Sequence, residues 1–252
     1  MARRPYKSFP SSCVRVTDWR WNLAPLSPAG SIHGIGGRFN IGVELHRARG
    51  QAFPALYIAC DVDTANREYF GAPPDSSTGQ LSTLEFALRT ESSFTTFALQ
   101  TRLEQVFDLR DASRLEAFVQ ILARFGLSND TKAFARSAKL QPRDLVRTPK
   151  KLWTLALTPP AIWRWECQMF GIPVPGQMLG RFVRDAGFEA ILYPSQQGGG
   201  DCLAVFPENF KASNSEIRVV GNAPAGASCT ILDRHPLCLE GLASYSPPSR
   251  AQ

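Results

Sequence analysis

The chain has 252 residues, 44% of them hydrophobic, which is enough to bury a sizeable core in one domain with extensions. Its 28 lysines and arginines against 22 acidic residues leave a formal charge of +6. The basic residues are scattered, so the excess favours anionic ligands but forms no nucleic-acid-binding face; the nearest candidates, Arg20 between Trp19 and Trp21 and Lys150–Lys151 near Trp153, are short.

Met1 to Ser12 is basic, but Pro5 and Pro10 interrupt it and no apolar h-region follows. No stretch reaches the ~18 apolar residues of a membrane span, and a cytoplasmic location is expected. Cys13 to Val16 alternates as a short strand, and the Pro-, Gly- and Ser-rich stretch Leu23 to Asn40 reads as a loop. Leu56 to Cys60 (LYIAC) suits a buried strand, after which Asp61 can cap a helix running to about Phe70, stopped by Gly71, Pro73 and Pro74.

Phe94 to Leu103 alternates as a strand, and Val106 to Leu109 reads as another, leading into a helix over Arg114 to Arg124 that Gly126 closes. In the middle, Trp153 to Leu157 reads as a strand that Pro159 and Pro160 terminate. Gln177 to Ala186 sets Met178, Leu179, Phe182, Val183 and Ala186 on one helical face, with Gly187 as the stop. Ala190 to Tyr193 and Leu203 to Phe206 are strands flanking a glycine-rich turn. Residues 13–221 then form the domain, and 222–252, with four prolines and little periodicity, are expected to be a loosely ordered extension. Strands and helices in mixed order point to an α+β fold.

The six cysteines show no CxxC pair and no tight spacing, so neither a zinc site nor a disulfide framework is indicated, and a reducing compartment is expected. The serine-hydrolase elbow G-x-S-x-G is absent, and His33, His46 and His235 have no partner spacing for catalysis or metal binding. Three polar residues remain. Arg38 sits in GIGGRFNIG, whose glycines let backbone approach a ligand while one guanidinium offers a forked donor to an anion; Phe39 replaces the third glycine of a dinucleotide fingerprint. Glu68 lies on the helix after LYIAC, one turn beyond Ala65, and Ser195 follows Tyr193 and Pro194 at the end of an apolar strand. Taken singly, each also fits a plainer role: a turn arginine facing water, a glutamate paired with Arg67, a turn serine. The tryptophans of the two W-R-W runs, Trp19 to Trp21 and Trp163 to Trp165, read as packed strand faces, whereas Tyr57 is placed to stack on a planar ring.

Taken together, GGRFNIG, LYIAC with Glu68 eleven residues after Tyr57, VFDLRD, GQMLGRFVRDAGFEAILYPS and LAVFPENF resemble the RES domain over about Cys13 to Phe210, with an insertion near 71–83. That family is named for an arginine, a glutamate and a serine, which match Arg38, Glu68 and Ser195. One departure stands out: relatives commonly carry an asparagine where this sequence has Asp201 and Cys202. The resemblance implies an ADP-ribosyltransferase-like fold, a toxin that cleaves NAD at the nicotinamide–ribose bond by phosphorolysis or hydrolysis, and an Xre-type helix-turn-helix antitoxin as partner. NAD is then substrate rather than cofactor, with inorganic phosphate a candidate co-substrate. In that reading Glu68, Arg38 and Ser195 are catalytic, and Arg38, Phe39, Tyr57 and Ser195 bind substrate. No metal, membrane or direct nucleic-acid contact is expected, and a homo-oligomer is left open. Transfer of ADP-ribose to a protein, or a non-catalytic basic binding module, are the competing readings.

Overall fold

The computed structural model describes residues 9–45, 51–71, 94–122, 129, 133, 136–137, 146–158 and 163–235. Eight strands form one sheet: β1 (Phe9–Asp18), β2 (Leu56–Ala59), β3 (Phe94–Leu103), β4 (Val106–Asp108), β5 (Ala190–Pro194), β6 (Asp201–Val205), β7 (Glu216–Val219) and β8 (Ile231–Leu232). Their spatial order is β4-β5-β6-β2-β1-β3-β7-β8. Every neighbouring pair is antiparallel except β4 with β5, which is parallel. Helices α1 (Ala29–Ile32), α2 (Val62–Phe70), α3 (Glu116–Leu122), α4 (Pro149–Leu157), α5 (Trp163–Phe170) and α6 (Pro175–Asp185) accompany it. This is the mixed sheet with surrounding helices that the order of elements predicts.

Alternation along the strands sorts the core into two layers. Along β5, Ile191 and Tyr193 join the cluster that contains Phe39, Leu109, Leu157, Val183 and Phe206. Ala190 and Leu192 join the other, with Leu56, Leu99, Leu203, Phe210 and Ile217. The central strands are therefore covered on both faces, which is why they read as continuous apolar runs.

A buried carboxylate fixes one end of the sheet. Glu189, 1% exposed, accepts hydrogen bonds at Oε2 from the backbone N–H groups of Glu104 (2.8 Å) and Gln105 (2.9 Å) and from the Ser215 hydroxyl (2.7 Å). It ties the β3–β4 turn to the start of β5 and the approach to β7.

Several local expectations change. Trp153 to Leu157 is helical, within α4: the Thr148 hydroxyl accepts from the Lys151 N–H and Pro149 occupies the first turn, two helix-start signals that outweigh the alternating apolar letters. Trp153 then donates Nε1 to the Leu109 carbonyl at 2.7 Å, docking α4 on the end of β4. Neither W-R-W run is a strand; Trp19–Trp21 is a single 3-10 turn closing β1, and Trp163 opens α5. The loop over Leu23 to Asn40 contains the short α1. Beyond Gly221 the chain is not loose throughout, because Ile231 and Leu232 pair with Arg218 and Ile217, and Leu232 and Cys229 are buried. Cys229 is disulfide-bonded, where the cysteine spacing indicates no bridge. Gly126, residues 72–83 and 236–252 lie outside the described residues. Among the described residues no helix is long and apolar enough to cross a membrane.

Candidate active site

Arg38 is carried on a loop that its glycines and one buried asparagine fold into a tight coil. Gly36 has φ +89°, and a Cβ there would meet the Asn40 carbonyl oxygen at 2.3 Å, so only glycine fits. Asn40, fully buried, accepts from the Gly37 N–H (2.9 Å) and the Tyr57 hydroxyl (2.9 Å) and donates to the carbonyls of Ser31 (2.8 Å) and Phe53 (3.1 Å). From α6, Gln177 donates Nε2 to the carbonyls of Ile35, Gly37 and Asn40 at 2.8–3.1 Å. The loop also lies directly on that helix: a Cβ at Gly176 would come 2.7 Å from the Arg38 carbonyl oxygen, and one at Gly180 would come 1.9 Å from that of Phe39.

So held, Arg38 reaches into a cleft of about 400 Å3 that it shares with Tyr57, Glu68, Tyr69, Trp163, Arg164, Tyr193 and Cys202. Its guanidinium carbon lies 5.5 Å from the centre of the Tyr193 ring. Its Nη1 is buried and makes no hydrogen bond among the described residues. A buried charged donor left unpaired costs on the order of 1–3 kcal/mol, so an acceptor oxygen entering the cleft gains strongly by meeting it.

Glu68 faces the same cleft from α2, whose start is fixed by Asp61: Oδ1 accepts from the Thr64 N–H and Oδ2 from the Thr64 hydroxyl, both at 2.7 Å. Ser195 lies behind it. The Ser195 hydroxyl donates to Glu68 Oε1 at 2.6 Å and accepts from the N–H groups of Gln197 and Gly198, each at 3.1 Å. The proton of Ser195 is committed to Glu68 and its lone pairs to backbone, so it holds the carboxylate and has nothing left to offer a ribose hydroxyl.

Tyr57 and Phe39 divide differently from the expectation. Tyr57 lines the cleft with its ring, and its hydroxyl accepts from the Phe39 N–H at 2.9 Å; burial pushes the phenol well above its ordinary range. Phe39 does not line the cleft. Its ring is fully buried, edge-on to Tyr193 with centroids 4.8 Å apart, because this alternate position of the loop points into the core.

At the rim, Arg110 bridges Asp108 (2.7 Å) and Asp201 (3.0 Å). Burial raises Asp108, but the hydrogen bonds and charge of Arg110 outweigh it and leave the carboxyl below its ordinary value. Asp201 is thereby drawn toward Arg110. Its neighbour Cys202 lines the cleft, its thiol pushed up to about 12 by burial and by the negative charge of Glu68. It is protonated at neutral pH and unsuited to nucleophilic attack. Among the described residues no three His, Cys, Asp or Glu side chains gather as a metal site.

Sequence reasoning missed Asn40 and Gln177, which shape the Arg38 loop, and Tyr69, Tyr193 and Arg164, which line the cleft. A signal existed for Gln177, which stands at the third position of α6 and accepts from the Val174 N–H at 3.1 Å.

Removing the Ser195 hydroxyl is expected to free the Glu68 side chain from its anchor. If the site is catalytic, Ser195→Ala lowers kcat roughly 10- to 100-fold, the scale of a misplaced catalytic group, with KM little changed. Ser195→Thr, which keeps a hydroxyl, recovers part of the rate. A thermal melt run alongside separates this from the loss of two backbone hydrogen bonds, about 1–2 kcal/mol.

The family model of the RES domain matches residues 122–225. That segment includes Ser195, while Arg38 and Glu68 precede it. No curated protein matches the sequence. Among solved structures, a chain of the M. tuberculosis MbcT-MbcA toxin-antitoxin complex aligns with 86% of this chain and 87% of its own length, at 19% identity and a TM-score of 0.45. Over residues 122–225 the chain is similar to the RES domain, as the sequence motifs suggest.

Proposed function

We propose that the cleft binds NAD and breaks its nicotinamide–ribose bond, and that the protein serves as the toxin of a toxin–antitoxin pair. The observation that carries the reading is the opposition of two charges in one cleft: a carboxylate fixed by Ser195, and a guanidinium whose buried Nη1 has no hydrogen-bond partner among the described residues. A molecule with a phosphate at one end and a developing cation at the other satisfies both.

Nicotinamide leaves from a positively charged ring and departs neutral, taking the electron pair of the C1–N bond, so no general acid is required to protonate it. The ribose is left with oxocarbenium character. Glu68, held in place before the reaction, stabilises that charge electrostatically, and its Oε2, which has no hydrogen bond among the described residues, is available to the ribose hydroxyls. Arg38 pairs with a phosphate oxygen, that of the diphosphate or of an incoming inorganic phosphate. The Tyr57 and Tyr193 rings wall the site. An oxygen of phosphate or water then bonds to C1; the water also gives up a proton to solvent. The corresponding partner is a helix-turn-helix antitoxin of the Xre type, a part of the reading supported by the RES match rather than by the cleft.

Incubating the purified chain with NAD, with and without phosphate, and separating the products tests the reaction. Free nicotinamide with ADP-ribose, or with its 1-phosphate when phosphate is present, supports cleavage. Radiolabel carried onto a protein would instead mean transfer, and intact NAD would defeat the proposal.

A further inference from the structure

Past Tyr57 the cleft continues into a second lobe of about 420 Å3. Both lobes are walled by Val16, Gly37, Tyr57, Tyr69 and Arg164, which mark the waist between them. Each is of the size of a small-ligand site. The second lobe adds Arg15, Arg20, Trp21 and His33, and one carboxylate, Asp18. That carboxylate is already engaged, Oδ1 by the Tyr69 hydroxyl and Oδ2 by Arg20. Arg15 donates Nη1 to the carbonyls of Pro25 (2.8 Å) and Ser27 (3.1 Å), and burial lowers it only to about 10, so it stays cationic at neutral pH. The lobe therefore carries a surplus of positive charge against aromatic walls, which suits a nucleoside phosphate.

Arg164 is the cation at the waist. It rises from the start of α5, exposed, with its guanidinium carbon 4.6 Å from the centre of the Trp163 ring, and it makes no ion pair among the described residues. Trp163 packs on the core, so the stack limits how far the guanidinium can swing. With Arg38 it forms a pair of cations lining the first lobe, of which only Arg164 also reaches the second.

We propose that Arg164 is a specificity-determining residue: it grips the diphosphate between the lobes, so that the second lobe receives the adenosine end and the site selects a dinucleotide over a nicotinamide mononucleotide. This rests on reading the first lobe as the site of nicotinamide–ribose cleavage. Charge-assisted hydrogen bonds to phosphate are geometry-dependent, and the planar fork of arginine is only partly replaced by lysine.

The test is calorimetric titration of the full chain with ADP, which lacks the nicotinamide riboside, together with steady-state cleavage of NAD and of nicotinamide mononucleotide. Arg164→Ala is expected to weaken ADP about tenfold or more and to raise KM for NAD by a similar factor, with kcat within about threefold. The preference in kcat/KM for NAD over the mononucleotide falls correspondingly, and Arg164→Lys restores part of it. Because Arg164 is exposed, an unchanged melting temperature is expected and confirms that the variant folds. Absence of ADP binding to the wild-type chain overturns the inference, as does an Arg164→Ala variant with unchanged ADP affinity and unchanged preference. If the wild-type chain binds ADP in an Arg164-dependent way yet releases no nicotinamide, the cleavage reading fails while the role of Arg164 in gripping phosphate stands.

Discussion

Glu68→Gln is expected to slow nicotinamide release by roughly 10²- to 10³-fold, the loss seen when one preorganised electrostatic group is removed from a transition state. The substitution is nearly isosteric, and the amide oxygen can still accept the Ser195 hydroxyl that now reaches Glu68 at 2.6 Å. What disappears is the negative charge that, in the proposed reaction, faces the ribose. Because that charge matters most when the C1–N bond is breaking, the loss falls on kcat, and KM for NAD should move by less than about threefold. The melting temperature should hold. Near wild-type turnover in this variant would remove Glu68 from the chemistry.

The second large effect is structural and reaches the site through α6. Adding one methyl in Gly180→Ala places a carbon 1.9 Å from the carbonyl oxygen of Phe39 and 2.6 Å from its carbonyl carbon. Both are backbone atoms, and the loop cannot yield by rotating a side chain. It is also pinned from the same helix by the three hydrogen bonds of Gln177. Overpacking of this kind costs typically 1–3 kcal/mol; with backbone as the obstacle, about 3 kcal/mol is expected, or roughly 6–12 °C in melting temperature for a chain of this size. Activity should fall further than stability, because the strain is relieved by moving Arg38. Urea denaturation with parallel rate measurement reads both, and a melting temperature within 2 °C of wild type would show that α6 does not clamp the loop.

Much of the scaffold around Glu68 was legible because its signals are local. Asp61 caps α2 and Gly71 follows its end, as the letters suggest, and the first four residues of LYIAC form β2 next to β6. Phe94–Leu103 reads as a strand from alternation alone and is one. Trp153 to Leu157 misleads because alternating apolar residues on a short helix imitate a strand, and only the preceding Thr148 and Pro149 tell the difference. Ile231 and Leu232 carry too little pattern to reveal an edge strand, which exists because β7 offers it a partner. At the site, the residue types at 38, 68 and 195 could be picked out from their surroundings, but not their relation. That Ser195 spends its hydroxyl on Glu68 depends on a contact across 127 positions of sequence, and that Phe39 turns inward while Arg38 turns to the cleft depends on the coil closed by Asn40. Arg164 sits in a W-R-W run that reads only as packing; its place follows from where α5 meets the waist of the cleft.

The placing of β6 beside β2 has a temporal corollary. The helix bearing Glu68 leaves the ribosome long before its serine anchor, and at roughly 5–20 residues per second the intervening stretch takes on the order of ten seconds to synthesise. Throughout that interval the nascent chain holds an acid without its brace, so the oriented carboxylate is completed only after translation has passed the glycine turn.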